Sequence, residues 1–232
     1  MIRRAIPFAL VCAMTPTVHA LETWSLKTGD TALTVTVNAG QLAVTSLSSA
    51  GRAPDWIGTP VPVSLPDHVF LNHTSQFVRW KFMGNTGSHT GGGTTLRFIS
   101  SEPKLELLSI WQAQSGPGPV EHHFEIVNRS GQMIEMPLQP SLVLGLSAPA
   151  GHSLENWWVE KGGGRPSEIG THCEPIGAGY RFKGQSTPYA ATPEMIPWIS
   201  IQDLTGSGGV YFGIEFSGRV GIDVSAAGQP LR

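Results

Sequence analysis

Cysteine is nearly missing from this chain. Two occur in 232 residues, Cys12 and Cys173. Cys12 sits inside the apolar run AIPFALVCAM, between the basic start MIRR and the small-residue ending VHA. That order of a basic head, a short apolar stretch and a small-residue stop reads as a secretory signal peptide over residues 1–20, with cleavage after Ala20. The run is too short to cross a bilayer. Loss of Cys12 leaves Cys173 alone, so no internal disulfide can form and the fold must rest on its core.

Charge is also scarce. Charged residues make up 14% of the chain, and 15 basic side chains stand against 17 acidic ones for a formal charge of −2. Removing Arg3 and Arg4 with the signal makes the balance more acidic. No basic field exists to attract a nucleic-acid backbone. No nucleic-acid partner is therefore expected. Beyond residue 20 no run of eighteen apolar residues occurs, so no membrane span is expected, and the signal peptide implies a secreted or periplasmic destination. Asn72-His73-Thr74 and Asn128-Arg129-Ser130 fit the glycosylation triplet, which matters only in a eukaryotic host.

Helix signals are the third absence. Period-two alternation recurs instead. TALTVTV puts Leu33, Val35 and Val37 on one face, NAG turns the chain, and QLAVTSL answers. HVFLN, QFVRWKF, KLELLSIW, SLVLGL, IPWISIQD, VYFGIEF and RVGIDV read as further strands. VEHHFEIVN and QMIEMPL flank RSG as a hairpin, with His122, Phe124 and Ile126 sharing a face. GNTGSHTGGGTT reads as a flexible connector; it has no lysine after its glycines and no following helix, so it is not a phosphate loop. Repeated meander-like connections predict an all-β, two-layer antiparallel sandwich over 21–232 as one domain.

Chemistry concentrates in ENWWVEKGGGRP, residues 155–166. In an extended segment Trp157 and Trp158 face opposite ways, so one can pack inward while the other meets solvent. An indole face suits the C–H face of a sugar ring. Glu160, Lys161 and Arg165 could bond hydroxyls beside it. The bland reading is a core tryptophan beside a solvated loop. In STPYAATPEMIPWISIQ, Tyr189 and Trp198 could line a groove or an interface, the bland reading being a rigid surface crossover. Glycoside hydrolysis needs two facing carboxylates. Glu155, Glu160, Glu174, Glu194, Asp203 and Glu215 are available, but sequence spacing pairs none of them across a site, and Glu215 reads as the outer face of a strand. His122 and His123 point to opposite strand faces, and Cys173 beside His172 is not a positioned nucleophile. No metal motif and no cofactor fingerprint occurs, so neither a metal nor a cofactor is expected.

Three stretches, VEHHFEIVNRSGQMIEMPLQPSL, ENWWVEKGGGRPSEIG and GGVYFGIEFSGRVGIDV, occur in an order that resembles the amino-terminal β-supersandwich domain of the family 36 alpha-galactosidases, the melibiase-type glycoside hydrolases. The resemblance runs from about Leu21 to Val224. It implies a galactose mutarotase-like supersandwich that supports a separate C-terminal (β/α)8 catalytic barrel and borders its sugar pocket, with galactoside-like glycans and that barrel as partners. Family members are retaining hydrolases whose catalytic aspartates lie on the barrel. This chain has no run of eight strand–helix units, so no catalytic residue carries over. Trp157, Trp158 and Arg165 become pocket-edge or domain-interface residues. Homo-oligomer formation stays open. The other readings are a free-standing carbohydrate-binding protein, an aldose-epimerase-like enzyme using His122 or His123 with Glu215, and an adhesion module.

Overall fold

The computed structural model describes residues 21–50, 52–89, 92–161, 170–188, 194–206, 208–216 and 218–226. Among these residues sixteen β-strands and no helix occur. All pairings between named strands are antiparallel. The all-β, antiparallel, two-layer character that alternation predicts is the fold observed. The described residues gather into two compact units, one drawn from 1–51 and 60–144, the other from 52–59 and 145–232.

The first unit holds β1 (Glu22–Lys27), β2 (Ala32–Asn38) and β3 (Gln41–Ser48) in one sheet. The β2–β3 turn has positive φ at both Ala39 and Gly40, with Asn38 paired to Gln41, as a tight two-residue hairpin requires. A second sheet runs β6 (Lys81–His89), β7 (Gly93–Ser101), β8 (Lys104–Ala113) and β9 (Val120–Asn128) in order. Val35, Val37, Leu42 and Val44 of the first sheet and Phe82, Leu96, Phe98, Leu107 and Trp111 of the second are all buried, and Trp24 meets Phe82 edge-on with ring centres 6.4 Å apart. The β1–β2 and β8–β9 turns are tied together: Gly29 N donates to Gly116 O at 2.6 Å, and Gly118 N donates to the Asp30 carboxylate at 2.9 Å. The Gly118 bond, with that of Thr28, holds the Asp30 carboxyl below the usual range. A small sheet of β10 (Ile134–Glu135), β4 (His68–Leu71) and β5 (Thr74–Phe77) completes the unit, with Val69, Val78 and Leu105 at its core.

Three expectations are corrected here. The glycine-rich GNTGSHTGGGTT is not simply a connector: its first part belongs to β6 and its last to β7, and register shifts at Phe82/Gly84 and Asn85/Gly87 absorb the glycines as bulges. Gly84, at φ 114°, takes a backbone conformation that suits glycine there. The strand after RSG does not return along β9; it shrinks to Ile134–Glu135 and pairs with β4 through Leu71 and Phe70. SLVLGL forms no strand; of it only Leu146 bridges, to Ile57. Prolines at 137 and 140 remove amide donors beside these segments, which disfavours ladder formation.

The second unit contains the sheet β12 (Thr171–Ile176), β11 (Leu154–Glu160), β14 (Met195–Asp203), β15 (Gly209–Gly213), in that order, and the pair β13 (Arg181–Ser186) with β16 (Val220–Ser225). Met195, Ile199, Ile201, Val210 and Val220 are buried. Residues 52–59 join this unit through Trp56 and Ile57, with Ser147 N donating to Trp56 O at 2.9 Å. β15 stops at Gly213, so Glu215 is not on the outer face of a strand as the alternation of VYFGIEF suggests.

Candidate functional site

The four-stranded sheet of the second unit has two faces with different chemistry. On the inner face, Asn156 is fully buried and donates from Nδ2 to the Tyr180 hydroxyl at 3.1 Å. Burial is the main cause that raises the Tyr180 phenol above its ordinary range. Two residues on, Trp158 stacks on His172, with ring centres 5.2 Å apart and planes at 14°, and leans on Phe182 of β13 at 4.8 Å. Glu160 continues this row, its carboxylate 3.1 Å from His172 Nε2 without hydrogen-bond alignment. Trp158 therefore closes the interior of the unit.

The adjacent tryptophan points the other way, as strand periodicity requires. Trp157 pairs with Cys173 on β12 and Ser200 on β14, and Ser200 pairs with Tyr211 on β15. Side chains directly opposite across a ladder share a face, so Cys173, Trp157, Ser200 and Tyr211 form one row across the outer surface. Along β14, Trp198 and Gln202 flank Ser200 on that same face. Trp157, Trp198, Ser200, Gln202, Asp203 and Leu204 line a concavity of about 370 Å³. Trp157 and Trp198 are half-buried, and the Gln202 amide donates to Ser200 Oγ. Trp157 Nε1 is buried with no hydrogen-bond partner among the described residues.

At the end of β14 the Asp203 carboxylate takes His152 Nδ1 at 2.7 Å and the amides of Thr205 and Gly206 at 3.0 Å each. The His152 bond is the largest cause lowering the Asp203 carboxyl. Lys161 donates from Nζ to Thr187 O at 2.6 Å, and Glu194 accepts from both the Thr187 amide and its hydroxyl. Lys161 is thus tied to the chain close to Glu194, at 3.7 Å.

The predicted set Trp157, Trp158, Glu160, Lys161, Arg165 and Trp198 is divided by this arrangement. Trp157 and Trp198 come together on the outer face. Trp158 and Glu160 lie on the inner face, and Lys161 is held by Thr187. Arg165, like Tyr189, lies outside the described residues. Ser200, Gln202 and Tyr211 join the outer surface although sequence reasoning did not single them out. The signal was present in W-x-S-x-Q, a polar-aromatic alternation opposite to the apolar Ile199 and Ile201.

In the first unit, His122 stacks on Trp111 with ring centres 3.9 Å apart, meets Phe124 edge-on, and lies 3.1 Å from Ser109 Oγ, which accepts from Trp111 Nε1 at 2.9 Å. Burial, reinforced by neighbouring His123, pushes its imidazole down from 6.5 to about 4. His123 lies 3.8 Å from Glu125. Among the described residues no group of three or more His, Cys, Asp or Glu is placed to hold a metal ion.

Fold and surface together define the class: a β-sandwich protein of supersandwich type, with an aromatic concavity on one sheet. No family model matches the sequence, and no curated protein sequence matches it. Solved structures do match the fold. The GH36 alpha-galactosidase AgaB from Geobacillus stearothermophilus aligns with a TM-score of 0.52 at 12% identity, over 81% of this chain and 31% of its own. AgaA from the same organism aligns at 0.54 and 12% identity, over 88% of this chain and 37% of its own. A doubly substituted AgaA in complex with stachyose gives 0.55 with the same identity and coverage. The chain therefore spans about a third of the length of these proteins, and the likeness is one of fold.

Proposed function

We propose that this chain is a non-catalytic β-supersandwich domain of an exported alpha-galactosidase-like glycoside hydrolase, supporting a separate catalytic barrel and bordering its sugar site. The observation that carries this reading is the fold match to AgaA and AgaB over more than four fifths of the chain. The engagement of two candidate carboxylates, Asp203 and Glu194, is in keeping with a non-catalytic role. Asp203 is taken up by His152 and two amides, and Glu194 by Thr187. A hydrolytic pair must instead present two carboxyls across an open bond. Export rests on the character of residues 1–20, and the mature exported protein is expected to begin at Leu21. A free-standing carbohydrate-binding role is the second reading, favoured by the Trp157–Trp198 concavity.

The test is an assay of the tagged chain with stachyose and a nitrophenyl alpha-galactoside. The purified chain alone is expected to release no galactose. Affinity capture of the chain from its own host is expected to recover alpha-galactosidase activity, on the same polypeptide or bound to it. Turnover by the chain alone refutes the non-catalytic assignment. A host eluate without activity refutes the support role and leaves the binding role to be tested by titration.

A further inference from the structure

We propose that the outer face of the β12-β11-β14-β15 sheet is itself a binding surface for neutral oligosaccharides, built by Trp157, Trp198, Ser200, Gln202 and Tyr211. The inference deepens the sugar-site reading above and rests on it for the choice of galactoside. The sheet register carries the argument. Trp157, Ser200 and Tyr211 stand in a single row on three adjacent strands, so a small hydroxyl side chain separates two aromatic ones. Strands lie ~4.8 Å apart, which puts the two aromatic backbones roughly 10 Å from each other, enough to address more than one sugar ring.

The polar groups follow the same line. Ser200 and Gln202 are joined by their own hydrogen bond and run along β14 between the flanking strands. The Gln202 carbonyl oxygen is not consumed by that bond and can accept from a sugar hydroxyl. Glycine at 209 and at 213, opposite Gln202 and Trp198, keeps the β15 side low. A Cβ at Gly209 would lie 2.8 Å from Ile201 O and 3.0 Å from Gln202 Oε1, so a side chain there would crowd the β14 backbone as well as the amide.

Charge selects the ligand class. Among the described residues the one ionisable side chain lining the concavity is Asp203, which is 3% exposed and committed to His152. None of these lining residues offers a cation for a phosphate, sulfate or carboxylate. An aromatic-walled hollow of about 370 Å³ with a neutral polar floor falls within the range of small-molecule sites, ~300–1,000 Å³. Its aromatic faces suit the C–H faces of pyranose rings and the exposed Gln202 amide suits their hydroxyls, while Ser200, 3% exposed, forms the floor that holds that amide. Tyr211, 49% exposed, extends the platform past the concavity.

The experiment is calorimetric titration of the full chain with stachyose, with maltotetraose and cellotetraose as comparison sugars. Saturable stachyose binding is expected, weakened at least fivefold by Tyr211→Ala and by Gln202→Ala, and left unchanged by Trp158→Phe on the opposite face. Alkylation of exposed Cys173, next to Trp157 in the row, is expected to slow at saturating stachyose. Near-ultraviolet dichroism of each variant shows that the sheet is intact. Binding of maltotetraose or cellotetraose but not stachyose, lost in the same two variants, upholds the surface and overturns the galactoside reading. Absence of saturable binding to all three sugars overturns this inference and leaves the support role to its own capture assay. Binding that survives Tyr211→Ala and Gln202→Ala also overturns it.

Discussion

Acidification is the perturbation that the packing of His122 makes quantitative. The imidazole is stacked on Trp111, edged by Phe124 and within hydrogen-bond reach of Ser109 Oγ. Trp111 Nε1 donates to Ser109 Oγ, so the Ser109 hydroxyl proton is free to be donated to His122 Nε2. That geometry suits the neutral ring, with Nε2 as acceptor. Burial depresses the folded pKa from 6.5 to about 4. In the unfolded chain the ring takes up its proton near its ordinary value, so between these two limits the unfolded state binds more protons. Stability therefore rises with pH across that window, is fully present above about pH 6.5, and is lost as pH falls toward 4. Each tenfold difference in proton affinity between the two states is worth about 1.4 kcal/mol, so acidification from pH 7.5 to pH 5 removes at most about 2 kcal/mol. The residual solvent contact of the ring brings the expected loss to about 1–1.5 kcal/mol. Carboxylates such as Glu106, lowered chiefly by its bond from Arg97 below an ordinary 4.5, and Asp203, lowered below 3.8, add their losses at more acidic pH. Urea denaturation at pH 7.5, 6.0 and 5.0 of the wild type and of His122→Phe measures the effect as a difference, in which the other histidines cancel. The variant is expected to lose about 1–1.5 kcal/mol less than the wild type between pH 7.5 and 5.0. Parallel pH profiles for the two proteins, or a His122 ring resonance titrating near 6.5, would refute the reasoning.

Other substitutions test the remaining packing arguments. Trp158→Ala empties the space between His172 and Phe182 and is expected to cost about 3 kcal/mol by urea denaturation. Trp157→Phe removes a buried N–H that has no partner among the described residues, and its stability is expected to stay within about 1 kcal/mol of wild type. Gly184→Ala would drive a Cβ into Met195 Sδ and within 3.0 Å of the Phe182 ring; a loss of about 1–3 kcal/mol is expected, and the double variant with Met195→Ala is expected to lose less than the sum of the two single losses. Asp203→Ala frees the amides of Thr205 and Gly206, and their hydrogen exchange is expected to accelerate at least tenfold relative to the Ile199 and Ile201 amides of the same strand.

Much of the strand content was legible. Alternating Leu33, Val35 and Val37, the KLELLSIW run and the shared face of His122 and Phe124 all read as they fold, because a side-chain period of two is a local property of extended backbone. The failures fall where pairing overrides local composition. Glycines that look like a linker became bulges in β6 because β7 supplies a ladder for them. MPLQPSLVLGL looks apolar enough for a strand, yet only Leu146 of it bridges. An extended segment becomes a strand only if a neighbour's donors and acceptors are free to meet it.

The surface on the second unit follows the same division. Opposite orientation of Trp157 and Trp158 was fixed by their adjacency in a strand. Which of them would face out depended on where β13 brings Phe182, and nothing local to ENWWVE encodes that. The companions of Trp157 lie 41 to 54 positions downstream, at Trp198, Ser200 and Tyr211. Periodicity sets which side chains share a face within a strand, whereas the register between strands sets which faces become one surface. That register is chosen by burial of the whole inner face at once, since a slip by one residue would exchange Ile199 and Ile201 for Trp198 and Ser200 in the core.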